Sequence, residues 1–534
     1  MAGRRKLKKF RMTALSHIDP KKKIGPELPR YETLVHMLQA AVEERPDVTA
    51  VIYQERAITY RELGRAVAGL AQQLARAGVA GGNRVVVMMP NSIEMDVALL
   101  AVMATGAQVA PVNPFFVSAE LKKVLTDVDA KILLCDPSSL EKAKSIAPDL
   151  GIGDVFMMGP GGIELAQWTQ DPTLAVVRAT LPKADDLALL IFTGGSTGIP
   201  KGVNHTHRAL IYGVLQHVAV WPLRYGEERF LNVAPMFHIW GLAYSTWVPI
   251  YAQSTLVMVP RYEPDKVVRG LAEHKITVFA GGPAPIYMGL LASPLFDGAD
   301  LSALKYCLSG GAPCPEDLHH EWLKRTGAPL LEGWGMSEGA PFCLNPYDDR
   351  RKLLSVGNPV PETEVEIVDI LSGEEVLPLG ERGEVRVRGP QIMRDYRKRP
   401  EETRNTLRNG WIYTGDIGYV DADGFLFLVD RKKDMVIVGG YNVYPREVDE
   451  VLFNHPKIRE AATVGKRDER LGEVLVAFVV LAADAAMTED EFFAYCKSEM
   501  VKYKRPVEVY FVEALPKTGT NKINRLALRE RLAR

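Results

Sequence analysis

Glycine, hydroxyl and lysine side chains are concentrated in the segment FTGGSTGIPKGV, which spans residues 192–203. The segment contains four glycines, three Ser or Thr residues and one lysine, and it follows the apolar run 187–191. Glycines let backbone N–H groups approach an anion, hydroxyls donate further hydrogen bonds, and lysine supplies positive charge. The segment therefore predicts a phosphate-binding loop, with a Gly/Ser/Thr-rich linker as the plain alternative.

This loop departs from the P-loop pattern GxxxxGK[ST], because Lys201 is followed by Gly202 and no glycine directly precedes it. The departure disfavours a P-loop kinase or GTPase. Further segments that combine aromatic, hydroxyl, acidic and basic side chains follow in this order: EGWGMSE at 332–338, YTGDI at 413–417, DRKKD at 430–434 with GGYNVYP at 439–445, and PKTGTNKINR at 516–525.

The composition of the 534 residues is that of a globular protein with two or more domains, since 47% are hydrophobic and 25% charged. With 65 basic and 66 acidic side chains the net charge is near zero, which argues against a nucleic-acid partner. The five cysteines are scattered and lack metal-ligand spacing. They indicate reduced thiols, and hence a cytoplasmic protein.

Two segments could suggest a membrane. The first 23 residues carry nine Lys or Arg without a following apolar stretch, so they predict a frayed basic tail rather than a secretory signal. Weak attachment to an anionic membrane surface is the alternative. Residues 231–260 lack charged side chains but are interrupted by prolines and polar residues, so we expect a buried helix and strand there and no transmembrane segment.

Strand-like and helix-like segments alternate in the first part of the chain, as they do in α/β proteins with parallel sheets. We expect strands at 84–89, 108–112 and 131–135, and helices at 92–105 and 118–128. Beyond about residue 355, short strands at 364–368, 383–387 and 424–429 between turn residues predict a small β-rich subdomain.

The last hundred residues return to mixed structure, with an expected helix at 445–453, a strand at 473–481 and a helix at 489–500. A charge cluster at 430–434 separates two strand-like runs and is typical of a linker or hinge. We therefore expect a basic tail at 1–29, a large domain at 30–432 and a small domain at 433–534.

Together with FTGGSTGIPKGV, the ordered segments resemble the motifs of the adenylate-forming (ANL) superfamily: acyl- and aryl-CoA synthetases, peptide-synthetase adenylation domains and luciferases. The resemblance covers roughly residues 30–530. It implies an α/β fold, with a large N-terminal domain of mixed and parallel sheets packed with helices, a β-rich subdomain, and a small mobile α+β C-terminal domain. It also implies that a carboxylate attacks the α-phosphate of ATP, giving acyl-AMP and pyrophosphate, with Mg²⁺ as cofactor.

The resemblance assigns roles to individual residues. Trp334 would stack near adenine, Glu338 would hold Mg²⁺ and Ser337 would face the phosphates. Asp416 and Arg431 would contact the ribose. Lys522 would bridge the substrate carboxylate and the α-phosphate. The β- and γ-phosphates would be held by Thr193, Gly194, Gly195, Ser196, Thr197, Gly198 and Lys201. Further cofactor-binding positions are implied at Gly311, Ala312, Glu332, Gly333, Gly335 and Met336.

The resemblance also bears on the acceptor of the acyl group. Lys433 matches the hinge position of acyl-CoA synthetases, and Gly439, Gly440 and Tyr441 match the strand beside the tunnel for the coenzyme A thiol. Nine residues follow Arg525, which leaves no room for a carrier domain. We therefore expect a free-standing CoA ligase, monomeric or homodimeric, with CoA as acceptor and AMP as product.

The acid is less constrained. His238 matches an aromatic or His gate beside the carboxylate, although it could equally be a core histidine. The strings TGGSTG and DRKKDMVIVGGYNVYPREVDEV look most like medium- and long-chain fatty acyl-CoA ligases, which implies a role in fatty acid metabolism. An aryl- or alicyclic-carboxylate ligase, an adenylating enzyme with a non-CoA acceptor, and a non-catalytic binding protein stay open as alternatives.

Each candidate residue has a purely structural alternative when it is taken singly. Trp334 could be a core residue and Asp416 could form a turn. The run 431–433 could be a solvated charge cluster, and Lys522 one more surface lysine. The ordered set of motifs favours the enzyme, and Asn521, which replaces the usual glycine before the final lysine, removes no catalytic group.

Overall fold

The computed structural model describes residues 23–174, 181–193, 200–312, 314–517 and 523–532. In these ranges the helices are, in chain order, α1 Leu34–Glu44, α2 Tyr60–Arg76, α3 Ile93–Ala104, α4 Ser118–Leu125, α5 Leu140–Ile146, α6 Ala166–Thr169, α7 His207–Val220, α8 Ile239–Leu242, α9 Val248–Tyr251, α10 Pro264–Glu273, α11 Ala284–Leu291, α12 Glu316–Thr326, α13 Pro400–Thr406, α14 Pro445–Phe453, α15 Glu489–Glu499 and α16 Arg525–Leu532.

The strands in the same ranges are β1 Thr49–Tyr53, β2 Arg56–Thr59, β3 Arg84–Met88, β4 Gln108–Pro111, β5 Ile132–Cys135, β6 Asp154–Met157, β7 Leu187–Phe192, β8 Gly202–Thr206, β9 Arg229–Asn232, β10 Thr255–Met258, β11 Val278–Gly282, β12 Tyr306–Gly310, β13 Leu330–Met336, β14 Gly339–Leu344, β15 Asn358–Pro359, β16 Glu364–Val368, β17 Gly383–Arg388, β18 Asp395–Tyr396, β19 Leu407–Arg408, β20 Trp411–Val420, β21 Leu426–Arg431, β22 Val436–Val438, β23 Tyr441–Val443, β24 Ile458–Asp468, β25 Gly472–Leu481 and β26 Glu508–Phe511.

The first part of the chain builds a seven-stranded sheet in the order β18-β8-β7-β4-β3-β5-β6. Strands β7, β4, β3, β5 and β6 are parallel, whereas β8 returns antiparallel to β7 and pairs antiparallel with β18. Its central strands are apolar runs buried on both faces, as expected where helices cover a parallel sheet.

A nine-stranded sheet follows the order β15-β14-β13-β12-β11-β9-β10-β1-β2. The strands from β13 to β1 in this order are parallel, and the antiparallel strands lie at the two edges. Parallel strands end at one edge of a sheet, where α/β proteins usually bind their ligands. The loops that follow β11, β12 and β13 therefore open toward the same side.

Helix α3 illustrates why the early elements were predictable. Ser92 caps it by accepting a hydrogen bond from the Met95 amide, and nearly all of its residues are buried. The segment 231–260, expected to be a buried helix and strand, forms α8, a π-helical turn at Ala243–Trp247, α9 and β10. Among the described residues, no helix combines the length and the apolar character needed to cross a membrane.

The chain forms two compact units: Met1–Glu364 with Arg388–Ile412, and Val365–Val387 with Tyr413–Arg534. In the second unit, β16, β17, β20 and β21 form the predicted β-rich part, and β22 to β26 form a further sheet covered by α14, α15 and α16. The predicted α/β class, with its β-rich and α+β parts, is confirmed. The predicted boundary at 432/433 falls inside the second unit and stays a prediction.

Candidate active site

The glycine-rich loop connects two antiparallel strands whose ends are fixed by hydrogen bonds. Phe192 at the end of β7 pairs with Gly202 at the start of β8. The Thr193 amide donates to the Lys201 carbonyl at 3.0 Å, and the Lys201 amide donates to Thr193 Oγ1 at 3.4 Å. The loop is thus closed at its base by Thr193 and Lys201. The other predicted loop residues lie outside the described residues: Gly194, Gly195, Ser196, Thr197 and Gly198.

The EGWGMSE motif forms a second hairpin, made by β13 and β14. Met336 pairs with Gly339, so Ser337 and Glu338 form the two-residue turn. The Ser337 carbonyl accepts a hydrogen bond at 2.6 Å from Nε2 of His205, a buried residue on β8. Burial lowers the pKa of His205 to about 4, so the imidazole that contacts the turn is neutral.

The structure brings together Lys201 and Glu338, two residues far apart in the sequence, through Tyr396 on β18. The Lys201 ammonium lies 4.9 Å from the centre of the Tyr396 ring. The Tyr396 hydroxyl donates a hydrogen bond to Glu338 Oε1 at 2.5 Å. Burial raises the pKa of Tyr396, and the charge of Glu338 raises it further, so the phenol keeps its proton.

The remaining motif residues on β13 differ in their surroundings. The buried Glu332 carboxylate pairs with Nε2 of His319 on α12 at 3.1 Å. Trp334 is partly exposed and meets Phe342 edge to face, with ring centres 5.2 Å apart. Gly333 lies buried in the strand, whereas Gly335 and Met336 retain exposure toward the turn. The part of this strand nearest the turn is thus the part a ligand can reach.

Gly311 and Ala312 follow the end of the neighbouring strand β12 and are at least partly exposed. Gly311 has φ +80°, a conformation that favours glycine. Because β12 and β13 are parallel and Gly310 pairs with Gly333, Gly311 and Ala312 lie at the same edge of the sheet as Trp334. This is the edge at which an adenine base would be expected.

Trp240 closes the space beside these strand ends. A Cβ on Gly310 would lie 2.7 Å from the Trp240 ring, and one on Gly282 would lie 3.9 Å from its Nε1. Larger side chains at Gly310 would therefore displace the indole. His238 caps α8, since its Nδ1 accepts a hydrogen bond at 3.3 Å from the Trp240 amide. The predicted gate histidine and the indole thus share one helix start.

A cavity of about 20 Å³ lies between α7 and the segment 239–247, with room for about one water molecule. Two of the residues that line it are histidines, His205 and His217, and burial lowers the pKa of each to about 4. Among its described lining residues none is Lys, Arg, Asp or Glu, and most are small or apolar. They are His205, Ala209, Leu210, Gly213, Val214, His217, Ile239, Ala243, Trp247, Ala340 and Gln391.

In the second unit, Asp416 and Arg431 face each other on paired strands. They are register partners on β20 and β21, and Arg431 Nε lies 2.7 Å from Asp416 Oδ1. The Asp416 carboxylate is almost fully buried, whereas the Arg431 side chain is 46% exposed, so the ion pair is partly screened by solvent. Both residues were expected to contact the ribose, and that role stays a prediction.

The hinge and tunnel candidates also lie in this unit. Lys433 is exposed in the turn between β21 and β22. Gly439 and Gly440, with φ of +56° and +88°, form the tight turn from β22 to β23, where Val438 pairs with Tyr441. Tyr441 stacks on Tyr503 with ring centres 4.5 Å apart. Lys522 lies outside the described residues.

Sequence reasoning missed His205 and Tyr396, although both contact predicted site residues. Tyr396 lies in the segment MRDYRKRP, which carries no motif by itself and comes near Glu338 only through sheet pairing. His205 lies two residues from Val203, where the predicted loop motif ends. The one signal available for His205 was the alternation of side chains along the strand that follows the glycine-rich loop, because residues two positions apart lie on the same face of a strand.

The arrangement is suited to anionic phosphates, with a lysine at the base of a glycine-rich loop and one buried carboxylate nearby. Among the described residues, no group of three or more His, Cys, Asp or Glu side chains forms a metal site. Mg²⁺ is commonly held by one or two carboxylates together with substrate phosphates, so the Glu338 carboxylate fits that ion.

Comparison with known proteins places the chain among enzymes. Residues 38–397 match the family described as AMP-binding enzyme, and residues 447–522 match the AMP-binding enzyme C-terminal domain. A long-chain-fatty-acid–CoA ligase of Bacillus subtilis is 35% identical, covering 93% of this chain and 94% of the relative. A feruloyl-CoA synthase of an Amycolatopsis species is 37% identical, covering 91% and 96%. ATP-bound MatB from Rhodopseudomonas palustris is 31% identical with a TM-score of 0.87, covering 93% and 98%.

Proposed function

The chain belongs to the AMP-binding enzyme family, in the acyl-CoA synthetase branch of the adenylate-forming superfamily, and we propose that it activates a medium- or long-chain fatty acid. In the first step a carboxylate oxygen attacks the α-phosphorus of ATP, acyl-AMP forms and pyrophosphate leaves. In the second step the thiolate of coenzyme A attacks the acyl carbon, the C–S bond forms and AMP leaves.

The observation that carries this proposal is the contact of Lys201 and Glu338 through Tyr396, beside the base of the glycine-rich loop. A cation and a buried carboxylate that contact the same tyrosine suit a nucleotide whose phosphates carry Mg²⁺. We assign Thr193, Lys201 and the five loop residues between Thr193 and Ile199 to the phosphates. Glu338 would hold Mg²⁺, which neutralises phosphate charge when bound.

The nucleoside and the reacting groups are assigned by family resemblance, supported by the contacts within each unit. Trp334 would stack near adenine, close to Gly311, Ala312 and Gly335. Asp416 would accept hydrogen bonds from ribose hydroxyls, with Arg431 keeping the carboxylate ionised and oriented. Lys522 would bridge the substrate carboxylate and the α-phosphate. Positioning and electrostatic stabilisation would then supply most of the rate.

The choice of a fatty acid is supported by the similarity to the long-chain-fatty-acid–CoA ligase of Bacillus subtilis. The segment around Trp240 is apolar and buried, with Ile239, Leu242 and Ala243 in the interior, which suits an apolar acyl chain better than a charged one. His238, at the start of α8, would lie beside the single carboxylate of the acid.

An aryl acid is the second candidate. Trp240 packs beside the glycines at two strand ends, Gly282 and Gly310, so a flat aromatic surface borders the proposed acid site. The relative named feruloyl-CoA synthase is also similar over most of both chains. Planar rings stack well on indole surfaces, which gives an aryl acid a specific physical attraction here.

The acceptor, the domain boundary and the location complete the proposal. We assign the glycine turn before Tyr441 to the coenzyme A thiol, because glycine leaves room for a narrow ligand. The small domain would begin at Lys433 and rotate there between the two steps. The protein would act in the cytoplasm as a monomer or homodimer, with at most weak contact of its basic N-terminal segment with membranes.

Release of AMP with a panel of acids tests the proposal. We expect activity to rise with the length of straight-chain acids and to exceed that with a branched short acid, benzoate, cyclohexanecarboxylate or ferulate. Highest activity with ferulate or benzoate would instead establish the aryl candidate. Absence of carboxylate-dependent ATP–pyrophosphate exchange with every acid would refute the enzymatic proposal.

The two half-reactions separate the role of Lys522. The Lys522→Ala variant should lose acyl-AMP formation but largely keep thioester formation from supplied acyl-AMP. A matched control is Lys517→Ala, which removes a nearby lysine that pairs with Glu460 at 3.3 Å. Equal losses in both half-reactions, or an equal loss in the control, would contradict the assignment of Lys522.

A further inference from the structure

We propose that Tyr396 is a positioning residue for adenylation, which fixes the positions of the Lys201 and Glu338 side chains relative to each other. The inference rests on the proposed function, since it presumes that these two residues serve the phosphates and Mg²⁺. It names a residue that belongs to none of the motifs, and it assigns separate tasks to the two ends of the tyrosine side chain.

The side chain of Tyr396 contacts both residues at once. Its hydroxyl donates to Glu338 Oε1 at 2.5 Å, and its ring face lies 4.9 Å from the Lys201 ammonium. Tyr396 is 5% and Glu338 7% exposed, so water competes little for the hydrogen bond between them. A hydrogen bond to a buried carboxylate and a cation over an aromatic face both gain strength on desolvation.

The backbone around Tyr396 runs as a strap between the two hairpins. At one end Ile392 bridges to Gly339, and the Met393 amide donates to the Glu338 carbonyl at 2.7 Å. At the other end the Arg397 amide donates to the Gly202 carbonyl at 2.8 Å, directly after Lys201. The strap, residues 392–397, therefore bonds to the backbone of both segments that carry the candidate phosphate and metal ligands.

Polar and charged contacts fix the strap to β8 and to the turn between α4 and β5. Asn204 on β8 donates to Asp395 at 2.6 Å. Arg397 Nη2 lies 2.6 Å from Asp129 Oδ2, and its Nε donates to the Asp127 carbonyl at 2.6 Å. The strap is thus anchored on both sides of Tyr396. A side chain whose backbone is held in this way can orient its neighbours without moving with them.

Tyr396 suits this task because it orients without adding charge. Its hydroxyl is uncharged and donates a hydrogen bond to the Glu338 carboxylate. A lysine or arginine at the same place would neutralise Glu338 and compete with Mg²⁺ for the carboxylate. The phenol supplies one hydrogen bond to the carboxylate and leaves its negative charge available for the cation.

Two substitutions separate the tasks. Tyr396→Phe removes the hydroxyl and keeps the ring, so Glu338 loses its orienting donor. We expect the Mg²⁺ concentration for half-maximal ATP–pyrophosphate exchange to rise about tenfold, as for other residues that orient metal ligands, with the rate recovered at high Mg²⁺. Tyr396→Leu also removes the face under Lys201, and its rate should stay low even at saturating Mg²⁺.

Tyr262→Phe is the matched control, since it removes a partly buried hydroxyl that donates to the Ile286 carbonyl at 2.8 Å, away from the strap. It should leave the Mg²⁺ dependence unchanged. Thioester formation from supplied acyl-AMP should be normal in all three variants, because it needs neither pyrophosphate nor its Mg²⁺.

An unchanged Mg²⁺ dependence in Tyr396→Phe, with normal exchange in the wild type, would overturn this inference and leave the proposed function standing. Equal loss of both half-reactions together with a lower melting temperature would also overturn it, because that pattern indicates a structural role. Absence of exchange in the wild type itself would refute the proposed function instead.

Discussion

Asp96 is a buried carboxylic acid whose ionisation should make the stability of the first unit depend on pH. It lies on α3 with 2% exposure, and its Oδ1 accepts a hydrogen bond at 2.6 Å from Thr246 in the π-helical turn. Burial raises its pKa from 3.8 to about 7, although the hydrogen bond from Thr246 opposes the rise. The perturbation is Asp96→Asn, which keeps the shape and removes the ionisable group.

The sign follows from the direction of the shift. The folded state binds the Asp96 proton more tightly than the unfolded chain, so its contribution to stability is complete at low pH and is lost as the pH rises from 3.8 to about 7. A shift of this size corresponds to about 4 kcal/mol in total. Of this, about 2.5 kcal/mol should be lost between about pH 5 and pH 8.

Urea unfolding at several pH values measures this loss. Wild type, Asp96→Asn and the exposed control Asp154→Asn are compared by tryptophan fluorescence and circular dichroism, whose coincidence shows that one free energy of unfolding applies. Between about pH 5 and pH 8 the free energy of unfolding of Asp96→Asn should gain about 2.5 kcal/mol relative to wild type. Any difference caused by the altered hydrogen bond with Thr246 is independent of pH and does not affect this change.

Two results would refute the reasoning about Asp96. One is a difference between wild type and Asp96→Asn that stays constant from about pH 5 to pH 8. The other is the lack, at about pH 6, of a protonated-carboxyl infrared band that disappears in Asp96→Asn. Either would mean that Asp96 is ionised when buried, as it would be if it had a further stabilising partner.

Further predictions concern the glycine turn and the thiols. Gly440→Leu should impair thioester formation from supplied acyl-AMP about tenfold or more by obstructing the thiol. Gly380→Leu is the matched control, because Gly380 has φ +83°, close to the +88° of Gly440, and surroundings that are equally open. It should leave thioester formation unchanged, and an equal loss in both variants would indicate backbone strain. The five cysteines are buried, and burial raises the pKa of each, so a disulfide reagent should react with them only after unfolding. Rapid reaction of any thiol in the folded protein would contradict this.

Many elements of the fold could be predicted because their signals are local. The predicted helix at 445–453 coincides with α14, since a proline at its first position sets the start. The expected strand at 84–89 forms β3 at Arg84–Met88, where an apolar β-branched run is buried between helices. In both cases the residues that define the element also determine its ends.

Features that depend on distant contacts could not be predicted. The return strand β8 directly follows a glycine-rich loop, and its pairing with β18 joins Val203 to Tyr396 across nearly two hundred residues. The π-helical turn at Ala243–Trp247 is fixed by Asp96 on α3 and by Asn232 on β9, which donates to Ser245. No short window of sequence contains both partners of such contacts, so periodicity cannot reveal them.

The two residues that sequence reasoning missed share a physical property with functional meaning. His205 contacts the Ser337 carbonyl and Tyr396 contacts the Glu338 carboxylate, and burial keeps the first uncharged and the second protonated. Neutral donors orient a carbonyl and a carboxylate without cancelling charge, whereas a cationic partner would compete with the Mg²⁺ that we propose for Glu338. We therefore expect a site that binds a metal–nucleotide complex to place its charges at the ligand and neutral hydrogen-bond donors, such as His205 and Tyr396, behind them.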